Sequence, residues 1–220
     1  MTFDAKYLHE YATKGTMGDW QSPVMVWLWS LIDPIAPGAG SMFLLIAATY
    51  WLGFGLLSLS LASRGRTIAL LLPLLALTPP ALALAGIIWR DVLFATCWLL
   101  AASLAFAVSE RGSWIRLNGQ ALALALVILG VLLRPNALLA APVLAAYAIW
   151  PSLTSLRRAM ISYIPAALVF FAIVQLVYYG VLGAKREHPL QTIMIFDLGG
   201  VSHFAKANQF PVDWSEAENA

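Results

Sequence analysis

The sequence predicts an all-α polytopic membrane protein, a transmembrane helical bundle of about six spans with an interfacial helix on its outer face. Three observations carry this. Of the 220 residues 61% are hydrophobic and only 11% are charged, with a mean hydropathy of +0.80, whereas soluble domains carry about 25% charged residues. The charges are confined to short stretches between apolar runs. Several of those runs approach the ~20 residues that a helix needs to cross a bilayer. The net charge of +2 is therefore no sign of a nucleic-acid partner, because basic residues in such a protein mark its loops. The lone Cys97 lies in an apolar run; it allows no internal disulfide and no Cys/His metal spacing.

Residues 1–41 read as an outer-face loop with a juxtamembrane helix. The first 23 residues are polar and mixed in charge, with no apolar core of a cleavable signal, so this segment is expected outside lipid. It holds Asp4, the Tyr7/His9/Glu10/Tyr11 patch and Asp19. Residues 24–32 are apolar but too short to span; bounded by Pro23 and Asp33-Pro34, they predict a helix lying on the membrane, with Trp27 and Trp29 at headgroup level. A turn follows at 34–40.

Residues 42–183 read as the transmembrane bundle, with spans at 42–62, 68–88, 91–109, 119–133, 137–150 and 160–183. Pro79-Pro80 predicts a kink in the second, where neighbouring helices can satisfy the freed carbonyls. The fourth and fifth spans are short and joined by Arg134-Pro135-Asn136, which also fits a tilted or partly re-entrant hairpin. Residues 184–220 return to soluble composition and read as an outer-face loop or tail, with Asp197-Leu198-Gly199-Gly200 as a turn.

Charge assigns the sides. The loops after the first, third and fifth spans hold Arg64, Arg66, Arg111, Arg116, Arg157 and Arg158 against Glu110 alone. The positive-inside rule makes these loops cytoplasmic, so both termini are expected on the outer (periplasmic or extracellular) side of a plasma or inner membrane. Trp89-Arg90-Asp91 and Arg134-Pro135-Asn136 then share that face. An ionised residue at a helix centre costs roughly 2.5–3.5 kcal/mol, so Arg90 and Asp91 belong at a membrane rim or a protein-lined cavity, where such groups are functional candidates. Arginine can hold a phosphate bidentately, and a carboxylate can take a proton from an attacking hydroxyl or hold a divalent cation. The chemistry suits a lipid with a phosphorylated head. Bland readings stand beside it: a structural Arg90/Asp91 pair at a helix start, a frayed end at Asp4, a tight turn at Arg134, an interfacial belt for Trp27 and Trp29, and solvated His9, His188 and His203.

Four segments in order resemble a family. Asp19-Trp20-Gln21-Ser22-Pro23, followed by Trp27-Leu28-Trp29, is similar to the Asp-Trp-His-Pro-Pro segment of bacterial GT-C superfamily glycosyltransferases, polyprenyl-phosphate-sugar-dependent enzymes like the dolichyl-phosphate-mannose mannosyltransferases. Gln21 stands for the family's His and Ser22 for its first Pro. Trp89-Arg90-Asp91-Val92 resembles a Trp-Lys-Asp-Val in the second outer loop, Arg134-Pro135-Asn136-Ala137-Leu138 an Arg-His/Pro-Asn-Ala-Leu, and Ile195 to Ser202 the opening of the large outer loop.

The resemblance implies an outer-face glycosyl transfer from a lipid-linked sugar donor to an acceptor, hexosyl or pentosyl in kind. It implies Asp4 as base with Asp19 second, and Asp91 supporting phosphate or a divalent cation (Mg or Mn). Arg90 and Arg134 would meet the lipid phosphate, with Trp20, Gln21 and Asn136 at the substrate. It also implies a chain truncated at both ends, to which a partner subunit could supply missing spans. Two other classes remain open, an inactive fragment or scaffold and a lipid-linked substrate transporter.

Overall fold

The computed structural model describes residues 2–151, 155–188 and 190–211. The predicted tail at 212–220 and part of the loop after the fifth expected span, 152–154, lie outside the described residues. The architecture is all-helical, with no strand among the described residues. Its elements are α1 (Phe3–Lys14), α2 (Pro23–Ile32), α3 (Ala39–Ala62), α4 (Leu72–Ala76), α5 (Pro79–Ala85), α6 (Arg90–Val108), α7 (Ser113–Leu133), α8 (Ala141–Ile149), α9 (Ser155–Gln175) and α10 (Leu190–Ala205).

Among the described residues four helices are long and apolar enough to cross a membrane: Ala39–Ala62, Arg90–Val108, Ser113–Leu133 and Met160–Val181. They are those of a multi-pass membrane protein. The expected second span is a bent pair, Thr67–Ala76 and Pro79–Ala85, meeting at 63° at the expected prolines. The expected fifth span differs. Residues 135–139 form a 3-10 turn, and Pro142 restarts the chain as the nine-residue α8, about 14 Å long. That is half of a ~30 Å hydrocarbon core. The fourth is correspondingly longer, starting at Ser113 rather than 119.

The break in the second span shows how the fold handles backbone in an apolar setting. A proline has no N–H, so it leaves the carbonyl four residues earlier without its helical donor. Pro73, Pro79 and Pro80 would orphan the carbonyls of Ala69, Leu75 and Ala76. Each accepts from a hydroxyl: Ser58 Oγ donates to Ala69 O at 2.8 Å, Thr78 Oγ1 to Leu75 O at 2.8 Å, and Tyr50 Oη to Ala76 O at 2.7 Å; Ala69 O and Leu75 O accept in addition from the amides of Leu72 and Thr78 in the tightened turns. Two of those hydroxyls come from α3, so α3 and the broken pair are joined through the very groups the prolines freed.

Small residues set the remaining contacts. A Cβ on Gly130 of α7 would fall 2.1 Å from the Trp98 indole of α6, and one on Gly53 of α3 would fall 2.8 Å from Leu99. Only glycine allows these approaches. Trp98 Nε1 donates to Val127 O at 3.2 Å, and Thr49 and Thr96 pair their hydroxyls at 2.8 Å between α3 and α6. One core joins α1, α2, α3 and α6 through Leu8, Met25, Trp29, Met42, Ile46 and Leu93. A second joins α7, α8 and α9 through Val127, Val131, Ala141, Ala145, Phe170 and Val174.

Two expectations are corrected. Trp29 is fully buried, its indole N–H donating to Gly38 O at 3.1 Å, while Trp27 stays exposed; the pair is therefore one core residue and one surface residue, because residues two apart lie about 200° apart around a helix, on opposite sides of α2. Residues 197–200 are not a turn but lie inside α10. The apolar run from Ile193 to Phe196 carries the helix through Gly199-Gly200, despite a cost of ~1 kcal/mol per glycine.

Replacing Tyr50 by Phe removes the donor to Ala76 O and leaves a buried carbonyl unpaired. Tyr50→Phe is expected to lower stability by about 1 kcal/mol in denaturant titrations in mild detergent. Leu52→Ala on the exposed side of α3 serves as the comparison with little expected change.

Candidate functional site

The charged residues singled out in the sequence converge at one end of the bundle. This end is built from α1, α2, the N-terminus of α6 and the C-termini of α7 and α9. Thr2 caps α1, its side chain accepting from Ala5 N, and Asp4 occupies the first turn, where a carboxylate complements the helix dipole. Asp4 is thus not frayed; its Oδ2 accepts from Trp89 Nε1 at 3.0 Å. Trp89 immediately precedes α6, and Arg90 and Asp91 form the first turn of that helix.

Arg134 caps the other helix end. It follows α7, and its Nε lies 2.9 Å from Asp91 Oδ1. Arg90 Nε lies 4.0 Å from Asp91 Oδ2. Asp91 therefore pairs chiefly with Arg134 across the helices, and only at the limit of range with its neighbour Arg90. Arg90 also donates through Nη1 to Trp20 O at 3.3 Å and feels the charges of Arg134 and Asp4. Asp4, Trp20, Arg90, Asp91 and Arg134 thus form one cluster. Two guanidiniums share the Asp91 carboxylate, which leaves donor capacity for an anion.

Asp19 sits in a different arrangement. Its Oδ2 accepts from Tyr179 Oη at 2.8 Å and its Oδ1 from the Glu187 amide at 2.6 Å. Glu187 returns the contact, accepting from the Trp20 amide at 3.0 Å. Backbone bonds from Asp19 N to Lys185 O and from Lys185 N to Met17 O, 3.0 and 2.9 Å, complete an isolated parallel bridge at Gly18. A Cβ on Gly18 would meet the Glu187 carboxylate at 2.3 Å, so a larger residue there would displace that side chain from the Trp20 amide. Asp19 is the centre of a clasp between the N-proximal segment and the chain after α9. Gln21 is half-buried and Asn136 exposed; neither joins the cluster through a hydrogen bond among the described residues.

Ser22 has a structural duty. It caps α2 by accepting from Met25 N at 3.2 Å, and donates to Leu132 O at 3.0 Å. Leu132 O is one of the carbonyls left over at the end of α7, and Tyr178 Oη donates to it as well. Tyr178 and Tyr179 lie in a π-helical turn, Leu176–Val181, that ends α9. The extra residue of such a turn lets adjacent tyrosines serve α7 and Asp19.

A second clasp holds α1 to the start of α3. Asp33 Oδ1 accepts from the Gly38 amide at 2.9 Å and lies 2.9 Å from His9 Nε2, with the His9 ring 5.2 Å from that of Trp29. His9 is thus a packed, bonded residue rather than a solvated one. Its hydrogen bond, then that of Gly38, holds the Asp33 carboxyl below the usual range against the opposing effect of burial. Tyr11, paired with the Tyr7 hydroxyl, is pushed up to about 12, first by that bond, then by burial and by Glu187.

Glu187, Tyr178, Tyr179 and Asp33 carry no sequence signal of their own. Their partners are 167, 46, 160 and 24 residues distant, and no local pattern announces such pairs. The donor set does not fit a resident divalent cation at Asp91. That carboxylate is engaged by arginine, and among the described residues no group of three His, Cys, Asp or Glu side chains converges.

Beside the cluster runs a largely apolar groove of about 370 Å³ between α3, α5 and α6. Tyr50, Ala81, Leu84, Val92 and Ala95 line it, with Trp89 and Asp91 at its polar end. No protein-family model, curated protein or solved structure matches the chain.

The Asp33 clasp gives a pH dependence. A carboxylate whose folded pKa is depressed contributes stability fully above its ordinary value near ~4, and that contribution is lost as pH falls through the lower folded value. Protease cleavage between α1 and α2 is therefore expected to accelerate below about pH 4, and Asp33→Asn is expected to flatten the profile.

Proposed function

We propose that the protein transfers a sugar from a lipid-phosphate donor to an acceptor at the membrane face where Asp91 lies. The observation that carries this reading is the apolar groove ending on Asp91 and Trp89, next to two guanidiniums. A hydrocarbon chain fits the groove, and its phosphate then meets Arg90 and Arg134. The four segments resembling GT-C glycosyltransferases supply the reaction type, and three of them meet at this end.

In this reading Asp4 is the base. Trp89 orients its Oδ2, and Oδ1 is left to take the proton of the acceptor hydroxyl. The hydroxyl oxygen attacks the anomeric carbon as the bond from that carbon to the phosphate oxygen breaks, with inversion. The lipid phosphate leaves as an anion, and Arg134 and Arg90 bear its charge. Asp91 is a positioning residue that holds Arg134 in place. Trp20, Gln21 and Asn136 border the sugar and acceptor; Asp19 closes the clasp beside them. The bent pair makes one membrane crossing, and residues 135–150, broken after Arg134, make another that carries the chain to the end where Trp150 lies; α2 lies at the interface with Trp27 outward. With those two and the four long helices the crossings are six, and both termini share the outer side of the plasma or inner membrane.

A scaffold is the second reading, and Asp19, with both carboxylate oxygens occupied, favours it. Transfer of radiolabelled sugar from a polyprenyl-phosphate donor in membranes separates the two. Asp4→Asn is expected to slow transfer about 100-fold or more, and Asp91→Asn to slow it less, while both insert normally. Unchanged transfer in both variants, or none by the unmodified protein, rules the catalytic assignment out.

A further inference from the structure

We propose a second binding site at the opposite end of the bundle, for a phosphate-bearing anion. A polar cavity of about 600 Å³ opens there, lined by Arg64, Ser109, Glu110, Arg116, Gln120 and Trp150. It is independent of the sugar-transfer reading. The site is built, not merely charged. Arg64 is fixed by Nη2 bonds to Phe106 O at 2.8 Å and Ser109 Oγ at 2.7 Å, and its guanidinium lies 3.9 Å from the Phe106 ring centroid. Its Nη1 lies 3.4 Å from Glu110, which is itself 70% exposed. Gln120 is held by donating to Ile149 O at 2.6 Å.

Arg116 stands one turn before Gln120 on α7, so the two share a face. Among the described residues no carboxylate lies within ion-pair range of Arg116. Two guanidiniums against one solvated carboxylate leave the cavity one positive charge in excess. A phosphodiester carries one negative charge, and an arginine fork matches its oxygens. Depth points the same way. α6 runs from Arg90 at the Asp91 cluster to Val108 beside this cavity, about 28 Å along the axis. That matches a ~30 Å hydrocarbon core and puts the cavity at the other headgroup level. Basic pockets between helices at that depth hold anionic lipid heads. The ligand is a phospholipid headgroup or free phosphate, which share this chemistry.

The test uses the full chain purified in uncharged detergent and titrated with dioctanoyl phosphatidylglycerol and, separately, with sodium phosphate, while thermal stability is followed. Saturable stabilisation that weakens roughly tenfold or more in Arg116→Gln is expected, with Arg66→Gln, which lies outside the cavity, leaving it within about twofold. Stabilisation by the lipid alone assigns the headgroup as ligand; stabilisation by both probes assigns the phosphate group itself. Arg64→Gln is the second variant and is expected to act in the same direction. No saturable effect of either probe, or equal weakening in Arg116→Gln and Arg66→Gln, overturns the proposal.

Discussion

A backbone carbonyl in an apolar setting must find a donor, and most of this structure follows from that constraint. Where helices run unbroken, the amide four residues on supplies it. Where they break, at Pro73, Pro79 and Pro80, hydroxyls of Ser58, Thr78 and Tyr50 supply it, joined at Ala69 O and Leu75 O by amides of the tightened turns. Where α7 ends, Ser22 and Tyr178 both reach Leu132 O. These side chains come from segments far apart in sequence, so satisfying the backbone also sets which elements touch. The groove between α3, α5 and α6 exists because the second span bends instead of packing flat.

The same economy explains the charged end. Arg134 is where α7 stops and Asp91 is where α6 starts, so each side chain complements the local dipole and the pair bridges the two helices. In the proposed reaction such a pair serves structure and chemistry together. It fixes one guanidinium in place without exhausting it, which is what recognition of a leaving phosphate requires.

Much of the fold was legible in the sequence. Composition and the length of the apolar runs marked the membrane class and the long helices, because lipid tolerates so few alternatives. The prolines marked the bend. The charges marked the cluster, since Arg90, Asp91 and Arg134 are the ionisable groups at the two short joins between apolar runs on that side, and Asp4 and Trp20 join them. The rest depends on pairing at a distance. Nothing near Asp91 says that Arg134, not Arg90, is its closer partner. Trp29 looks like its exposed neighbour Trp27 until α1 and α3 pack over it. Residues 137–150 have the hydropathy of a span, yet the 3-10 turn begun by Pro135 runs to Leu139 and the helix restarts only at Ala141-Pro142. Gly199-Gly200 reads as a turn, yet the apolar residues before it carry a helix through.

The bridge between Gly18 and Lys185 bears on how the molecule is made. A chain leaves the ribosome from its N-terminus, so Asp19 waits through the synthesis of every spanning helix before Tyr179 and Glu187 arrive to bind it. Closing so long a loop is slow relative to local helix formation. The clasp consequently closes after the helices between Asp19 and Tyr179 have been made. A chain halted or misinserted midway has the arginines and carboxylates but not the clasp, so its closure reports that those intervening helices are in place.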